Sequence, residues 1–278
     1  MTSYFMRLTR RVTFALALSF VCVSFQSLIF ADEPTPQVVT EKTALFNGKN
    51  LDGWSVFLNG QEPGTDPNAV FTVEDGAIHI SGNGIGGITT DKAYRDYQLI
   101  VEFKWGEKSW ANRVDRCRDG GVLIHSVGEP GAFGGCWYYS IEANIIEGGL
   151  GDFIVVGDGS ENYALTAKVK SEKSKLGAWI YDPNGTPQRV TSGRVDWFAR
   201  DPEWEDVRNF RGKDDLDKPL GEWNELKLVC QGDKVDVYVN GSLVNQAYDV
   251  KPSAGRIQFQ TELAEYFIRR IELLPLEK

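Results

Sequence analysis

The chain is 278 residues long and carries 30 Lys and Arg against 39 Asp and Glu, a net charge of −9. A surface this acidic repels phosphate backbones and anionic lipid headgroups, so nucleic acid and membrane surfaces are excluded as expected partners while neutral carbohydrate is not. Four Cys without a C-x-x-C pair and only two His, His79 and His125, rule out a zinc site of the Cys/His kind.

Arg7, Arg10 and Arg11 precede the apolar run VTFALALSFVCVSFQSLIFA, after which the chain turns acidic and Pro-rich at DEPTPQ. A charged start, an apolar middle and a small exit residue mark residues 1–31 as a secretory signal peptide, with cleavage expected near Ala31. The run is also long enough to span a bilayer, so an uncleaved anchor is the competing expectation. Cys22 follows Phe20 and Val21 rather than small residues, which argues against lipid attachment. Export to a periplasm or beyond is therefore expected. Without residues 1–31 there remain 27 basic and 39 acidic residues, a net charge of −12. Of the remaining Cys, Cys117 and Cys136 are placed for a bridge in an oxidising compartment, and Cys230 reads as a buried thiol.

Residues 32–43 read as a short extended tether. From Ala44 the hydrophobic period is two rather than 3.6, which predicts a single all-β domain over 44–278. AVFTVEDGAIHISG places Asp75-Gly76 between two β-rich runs, a hairpin signature. YQLIVEFKW puts Tyr97, Leu99, Val101, Phe103 and Trp105 on one face and Gln98, Ile100, Glu102 and Lys104 on the other. Trp54, Trp105 and Trp223 are core candidates, and His79 reads as structural. GGVLIHSV and YYSIEANII supply two further strands. Residues 168–222 break the rhythm and read as a long loop insert, packed through Trp197, Phe198, Trp204 and Phe210 over one mouth of the domain. WNELKLVCQGDKVDVYVNGSLVNQ then gives three strands joined at Gly232-Asp233 and Asn240-Gly241, and GRIQFQTEL and YFIRRIELLPL close the domain. Regularly spaced strands with little helical patterning predict a sandwich or jelly roll with long loops.

SIEANIIEGG carries the candidate chemistry. In an extended strand Glu142 and Asn144 share one face and Ile141, Ala143 and Ile145 the other. A bulge at Ile146 would bring Glu147 round beside Glu142. Trp137 and Tyr139 precede this strand, and aromatic plates beside carboxylates and amides suit sugar rings. His125 in the preceding strand, and Gln258, Gln260 and Glu262 in the late strand, alternate with apolar neighbours in the same way. Arg113, Arg116 and Arg118 share one loop, from which Arg116 is taken as the residue reaching the groove rim. The pattern fits a groove if these strands lie on one curved sheet, and a plain solvated face if they do not.

ALFNGKNLDGWSVF, DGGVLIHSVG, SIEANIIEGGLGDFIVV, GEWNELKLVCQGDKVDVYVNG and GRIQFQTELAEYFIRRIEL, in that order over residues 44–276, resemble the 3-keto-disaccharide hydrolase domain family. The resemblance implies a concanavalin A-like jelly roll with a carbohydrate groove, acting on glycosides already oxidised at C3. Its acid-bearing strand corresponds to Ser140–Glu147 and its late Gln-x-Glu to Gln260–Glu262; together with the pattern above this makes Glu142, Glu147, Glu262 and His125 the expected catalytic groups, and Asn144, Gln260, Trp137, Tyr139 and Arg116 the expected substrate contacts. The E-x-N-x-x-E spacing is also similar to the E-x-D-x-x-E of laminarinase-type retaining glycosidases, whose acid pair stands about 5 Å apart. Asn144 cannot share a proton as the middle Asp does, which disfavours double displacement. A non-catalytic, lectin-like module is the remaining alternative. No motif establishes a cofactor. The acidic cluster permits a divalent cation with Glu142 as a ligand, although no ligand spacing demands one.

Overall fold

The computed structural model describes residues 33–277, so the segment read as a signal peptide lies outside the described residues. Residues from Glu33 onward form one compact unit. Two sheets face each other across a single core, the β-sandwich that the period-two pattern predicts. The sheet that carries the site runs in the order Trp179–Ile180, Gly193–Asp196, Phe153–Val156, Tyr139–Asn144, Gly121–Val127, Arg256–Glu262, Ile85–Thr90, Trp54–Leu58. Opposite it, Tyr97–Ser109 lies between Asn224–Gln231 and Ala264–Leu274 at the centre of the second sheet.

This order decides where the site can be. Gly121–Val127 pairs with Tyr139–Asn144 on one side and with Arg256–Glu262, more than a hundred residues later, on the other. Strand neighbours lie about 4.8 Å apart, so three segments distant in the chain form one patch. Their inward side chains, Ile141, Ala143, Val122, Ile124, Ile257 and Phe259, join the core. Across it Tyr97, Leu99, Val101, Phe103 and Trp105 are all buried, as their alternation predicts. Each such large apolar side chain contributes about 1.5–3 kcal/mol on burial.

Several expectations change. Residues 32–43 are not a free tether: Gln37–Val38 pairs with Tyr94–Arg95, and Thr43–Ala44 pairs with the Ala264–Leu274 strand. The stretch 168–222 is not all loop, because Trp179–Ile180 and Gly193–Asp196 extend the site sheet and Thr186–Val190 edges the other. Its longest stretch without strand is the part beyond residue 196. Its Trp204 and Phe210 pack with Cys117 and Ile146 in a small second cluster, whereas Phe198 is exposed. Cys117 and Cys136 are free and held apart by different partners: the Cys117 thiol donates to the Val207 carbonyl at 3.2 Å, and Cys136 Sγ accepts from Asn59 Nδ2 at 3.1 Å. Cys230 is a buried thiol. Trp54 and Trp105 are core residues, but Trp223 is only half-buried, with the Arg269 guanidinium 4.4 Å above its ring. His79 is bound on both nitrogens, to Glu74 at 2.9 Å and Glu265 at 3.0 Å.

Candidate active site

On the outward side of the site sheet the alternation delivers Glu142 and Asn144 from one strand and Gln260 and Glu262 from another. The strand between them contributes Gly121, and there the missing side chain matters. A Cβ on Gly121 would collide with both Glu142 Oε1 and Gln260 Oε1, so glycine is what allows the two to meet over it. Gln260 Nε2 reaches Glu142 Oε2 at 3.4 Å, and Asn144 Nδ2 donates to Glu142 Oε1 at 2.8 Å. From below, the Tyr266 hydroxyl donates to the Gln260 carbonyl.

Asp119 completes the cluster, and nothing in its local sequence singles it out. Its Oδ1 accepts from the same Asn144 amide at 3.0 Å, and Gly120 O accepts at 2.9 Å. Two amide hydrogens thus face three acceptors, so Asp119 and Glu142 compete for donors. Arg113 Nη2 stands 3.2 Å from Asp119 and 3.8 Å from Glu262, which makes Arg113, not Arg116, the loop arginine at the acids. Arg116 is paired instead with Asp206. On the other flank Arg194 Nη1 donates to Asn144 Oδ1 at 3.3 Å and to Asp152 Oδ2 at 2.9 Å. By occupying Oδ1, Arg194 fixes which end of the Asn144 amide faces Glu142.

The electrostatics follow from burial. Glu142 is 4% exposed, and desolvation, reinforced by the Asp119 charge, pushes its pKa up to about 8. The hydrogen bonds from Asn144 and Gln260 and the Arg194 charge oppose that shift without cancelling it. Burial followed by the Asp119 and Glu142 charges raises Glu262 well above the ordinary carboxylate range. Its side chain keeps 19% of its surface exposed, so Glu262 reaches solvent where Glu142 does not. Two acids with raised pKa values and a shared neighbouring charge form the pattern of a proton-transfer site.

Two expected members lie elsewhere. Glu147 does not swing round beside Glu142, because the strand ends at Asn144 and the chain turns away. Its carboxylate is tied to the Arg118 side chain at 2.6 Å, to the Arg118 amide at 2.9 Å and to the Asn209 amide at 3.2 Å. His125 points into the core. The register shifts between Arg256 and Gln258 along the pairing with Gly121–Val127, and His125 adopts φ 56°, a bulge that inverts its side. Its ring lies edge-on to Tyr97 at 6.0 Å, Nδ1 meets the Pro252 carbonyl at 3.0 Å, and burial lowers its pKa to about 4.

Trp137 and Tyr139, expected as substrate contacts, neither line the cleft of Asp119 nor hydrogen-bond to the acids. Trp137 Nε1 donates to Gly86 O at 2.9 Å on the strand beside Gln260, and Tyr139 packs on Tyr163 at 4.4 Å. Of the acid cluster Asp119 alone lines the adjoining cleft of about 740 Å³, together with Arg113, Arg116, Arg194 and Trp204. That size falls in the range of roughly 300–1,000 Å³ common to small-ligand sites. Among the described residues no group of three or more His, Cys, Asp or Glu side chains is spaced to hold a metal ion. The groups aimed at Glu142 are amide N–H donors and a guanidinium charge, which would oppose a cation rather than share it, so the donor set does not fit a metal with Glu142 as ligand.

A family model described as 3-keto-alpha-glucoside-1,2-lyase-like domain matches residues 41–274. The chain belongs to that family. No curated protein matches its sequence. Among solved structures, a Parabacteroides distasonis protein provisionally named a glycosyl hydrolase is 18% identical, with 85% of this chain and 94% of that chain covered and a TM-score of 0.49. Beta-glucanase from Bacillus licheniformis is 10% identical, with coverage of 85% and 99% and a TM-score of 0.44. The carbohydrate-binding module CBM66 from Bacillus subtilis is 12% identical, with coverage of 86% and 99% and a TM-score of 0.39. At these values none of the three bears on what the chain acts on. Among the described residues no helix is long and apolar enough to cross a membrane.

Proposed function

We propose that the protein is an exported enzyme that cleaves the glycosidic bond of 3-keto-glycosides by elimination and hydration. The observation that carries this reading is the buried carboxylate Glu142, its pKa raised to about 8 beside the second raised acid Glu262. A C3 carbonyl acidifies the hydrogen on C2. Glu142 takes that proton, and the electron pair of the C–H bond enters the enolate. The enolate then reforms the C3 carbonyl and a C1–C2 double bond as the C1–O bond breaks, with Glu262 protonating the departing oxygen. Water adds across the new double bond, its oxygen to C1 and a hydrogen to C2, so the net change is hydrolysis. A base whose pKa lies near the working pH transfers protons best. Asn144 and Gln260 orient the base, and Arg113 and Arg194 balance the charge of the acid cluster. Export is supported by the pattern of residues 1–31.

The test compares a chromogenic glucoside with its 3-keto form. Release from the keto form alone, by at least about a hundredfold over the plain glucoside, is expected; equal release from both would overturn the reading, and binding without release would favour a lectin-like module. The pH profile offers a second check. Because Glu142 works deprotonated, kcat/KM should rise with pH through about 8. A profile already flat from pH 5 to 8 would contradict Glu142 as the base.

A further inference from the structure

Elimination from a 3-keto-glycoside asks something of three consecutive ring carbons. An acid acts on the oxygen at C1, a base acts at C2, and negative charge gathers on the oxygen at C3. Glu262 and Glu142 answer the first two demands, and the register of the site sheet offers a group for the third. Glu142 pairs with Ile154, and Ile154 pairs with Arg194. Residues in register point to the same face, so the guanidinium and the carboxylate share the outward side two strands apart, about 10 Å between backbones. Glu262 lies two strands from Glu142 in the opposite direction. The base thus stands between an acid and a cation, the order in which C2 stands between C1 and C3.

Arg194 also has donors to spare. Its Nη1 is engaged by Asn144 Oδ1 and Asp152 Oδ2, while Nη2 and Nε make no hydrogen bond among the described residues. The side chain is 25% exposed and lines the open cleft beside Asp119. Burial works against its charge, but the carboxylates of Asp152, Asp119 and Glu142 outweigh that and raise its pKa. The group therefore stays a cation and gives up no proton. The neighbouring donors are committed. Asn144 Nδ2 faces three acceptors, Gln260 Nε2 faces Glu142, Arg113 is held by Asp119 at the Glu262 end, and Arg200 is locked between Asp152 and Asp196.

We infer that Arg194 is a catalytic residue, whose free N–H groups bind the C3 carbonyl oxygen and stabilise the enolate. As Glu142 takes the C2 hydrogen, the C–H electron pair forms the C2–C3 double bond and the carbonyl pair moves onto the oxygen that Arg194 holds. The pair returns from that oxygen as the C1–O bond breaks. The inference rests on the reading of Glu142 as the base and adds the group that receives the charge.

A bound ketone reports this contact without turnover. A 3-keto-glucoside labelled with carbon-13 at C3 is bound to Glu142→Gln, and its infrared carbonyl stretch is compared with that in Glu142→Gln combined with Arg194→Met. The band should lie lower in the single variant and shift upward once Arg194 is gone. An identical band in both overturns the inference, and a loss of Arg194 that acted only on folding or on Asn144 would leave the band in place. In turnover, Arg194→Met should lower kcat by about 10²–10³-fold, the usual loss on removing one oxyanion donor, with KM changed far less. Cleavage by wild type and, within a few-fold, by Arg194→Met would overturn this inference alone. No cleavage by wild type would instead sink the elimination reading, and the catalytic role of Arg194 with it. Thermal unfolding verifies that the variants fold, and Arg194→Lys, which keeps a cation beside Asp152, gives the same two readings should Arg194→Met not fold.

Discussion

Glu142→Gln should abolish turnover of a 3-keto-glucoside, with a loss of about 10³-fold or more in kcat, because a positioned general base contributes roughly 10²–10⁴-fold and no other ionisable group can replace it. Asp119 is nearest in kind, but its Oδ2 lies against Arg113 and its Oδ1 accepts from Asn144. The same change should stabilise the fold at neutral pH. Folded Glu142 has a pKa raised to about 8 from an ordinary value of 4.5. A raised carboxylate favours folding fully only below the unfolded pKa, and that contribution is lost as pH climbs through the folded one. Glutamine removes this loss, so the gain in stability should appear above about pH 5 and grow toward pH 8. Chemical denaturation of both proteins at pH 4.5 and pH 8 checks the sign. Retained turnover, within a few-fold of wild type, would remove Glu142 from the mechanism.

Arg118→Ala should be among the most destabilising single substitutions in the molecule, costing about 3–5 kcal/mol, the usual penalty for stranding a buried charge. Arg118 is 1% exposed. It donates to Gly106 O at 2.9 Å, to Glu147 Oε1 at 2.6 Å and to Asn209 Oδ1 at 2.9 Å, while Trp204 Nε1 holds the Glu147 carbonyl at 2.8 Å. Three separate segments therefore depend on one guanidinium. In a domain of this size each kcal/mol moves the melting temperature by roughly 2–4 °C, so a fall of about 10 °C is expected. The double variant Arg118→Met with Glu147→Leu should recover much of that fall, since the stranded carboxylate, not the lost pair, causes most of it. A single variant that melts within about 2 °C of wild type would show that water reaches Glu147 and that the network is not structural.

Much of this architecture was legible before any coordinates. Alternation placed the strands that hold Tyr97–Trp105, Glu142, Asn144 and Gln260, and parity alone put Glu142 and Asn144 on a face away from Ile141 and Ala143. Parity failed wherever a strand stopped or bulged. Glu147 was expected beside Glu142 through a bulge, yet the chain leaves the sheet after Asn144. His125 was expected on the outward face, yet the bulge at that residue turns it into the core. Neither event has a local signature, because a bulge is set by how two strands register rather than by one strand's composition. Asp119 and Arg194 escaped notice for a related reason. Each sits in polar sequence that reads equally well as solvated, and only the pairing of distant strands brings them to Asn144. The strands within 168–222 were hidden by their shortness, two to five residues each.

The empty position at Gly121 sets a condition on any redesign of this scaffold. Carboxylate and amide interlock across a gap no wider than the one carbon that is absent there. Enlarging residue 121 would therefore act like a wedge, prying the catalytic acid from its support while leaving the hydrophobic layer beneath intact. A folded, inert protein is the natural result. This notch admits a single occupant.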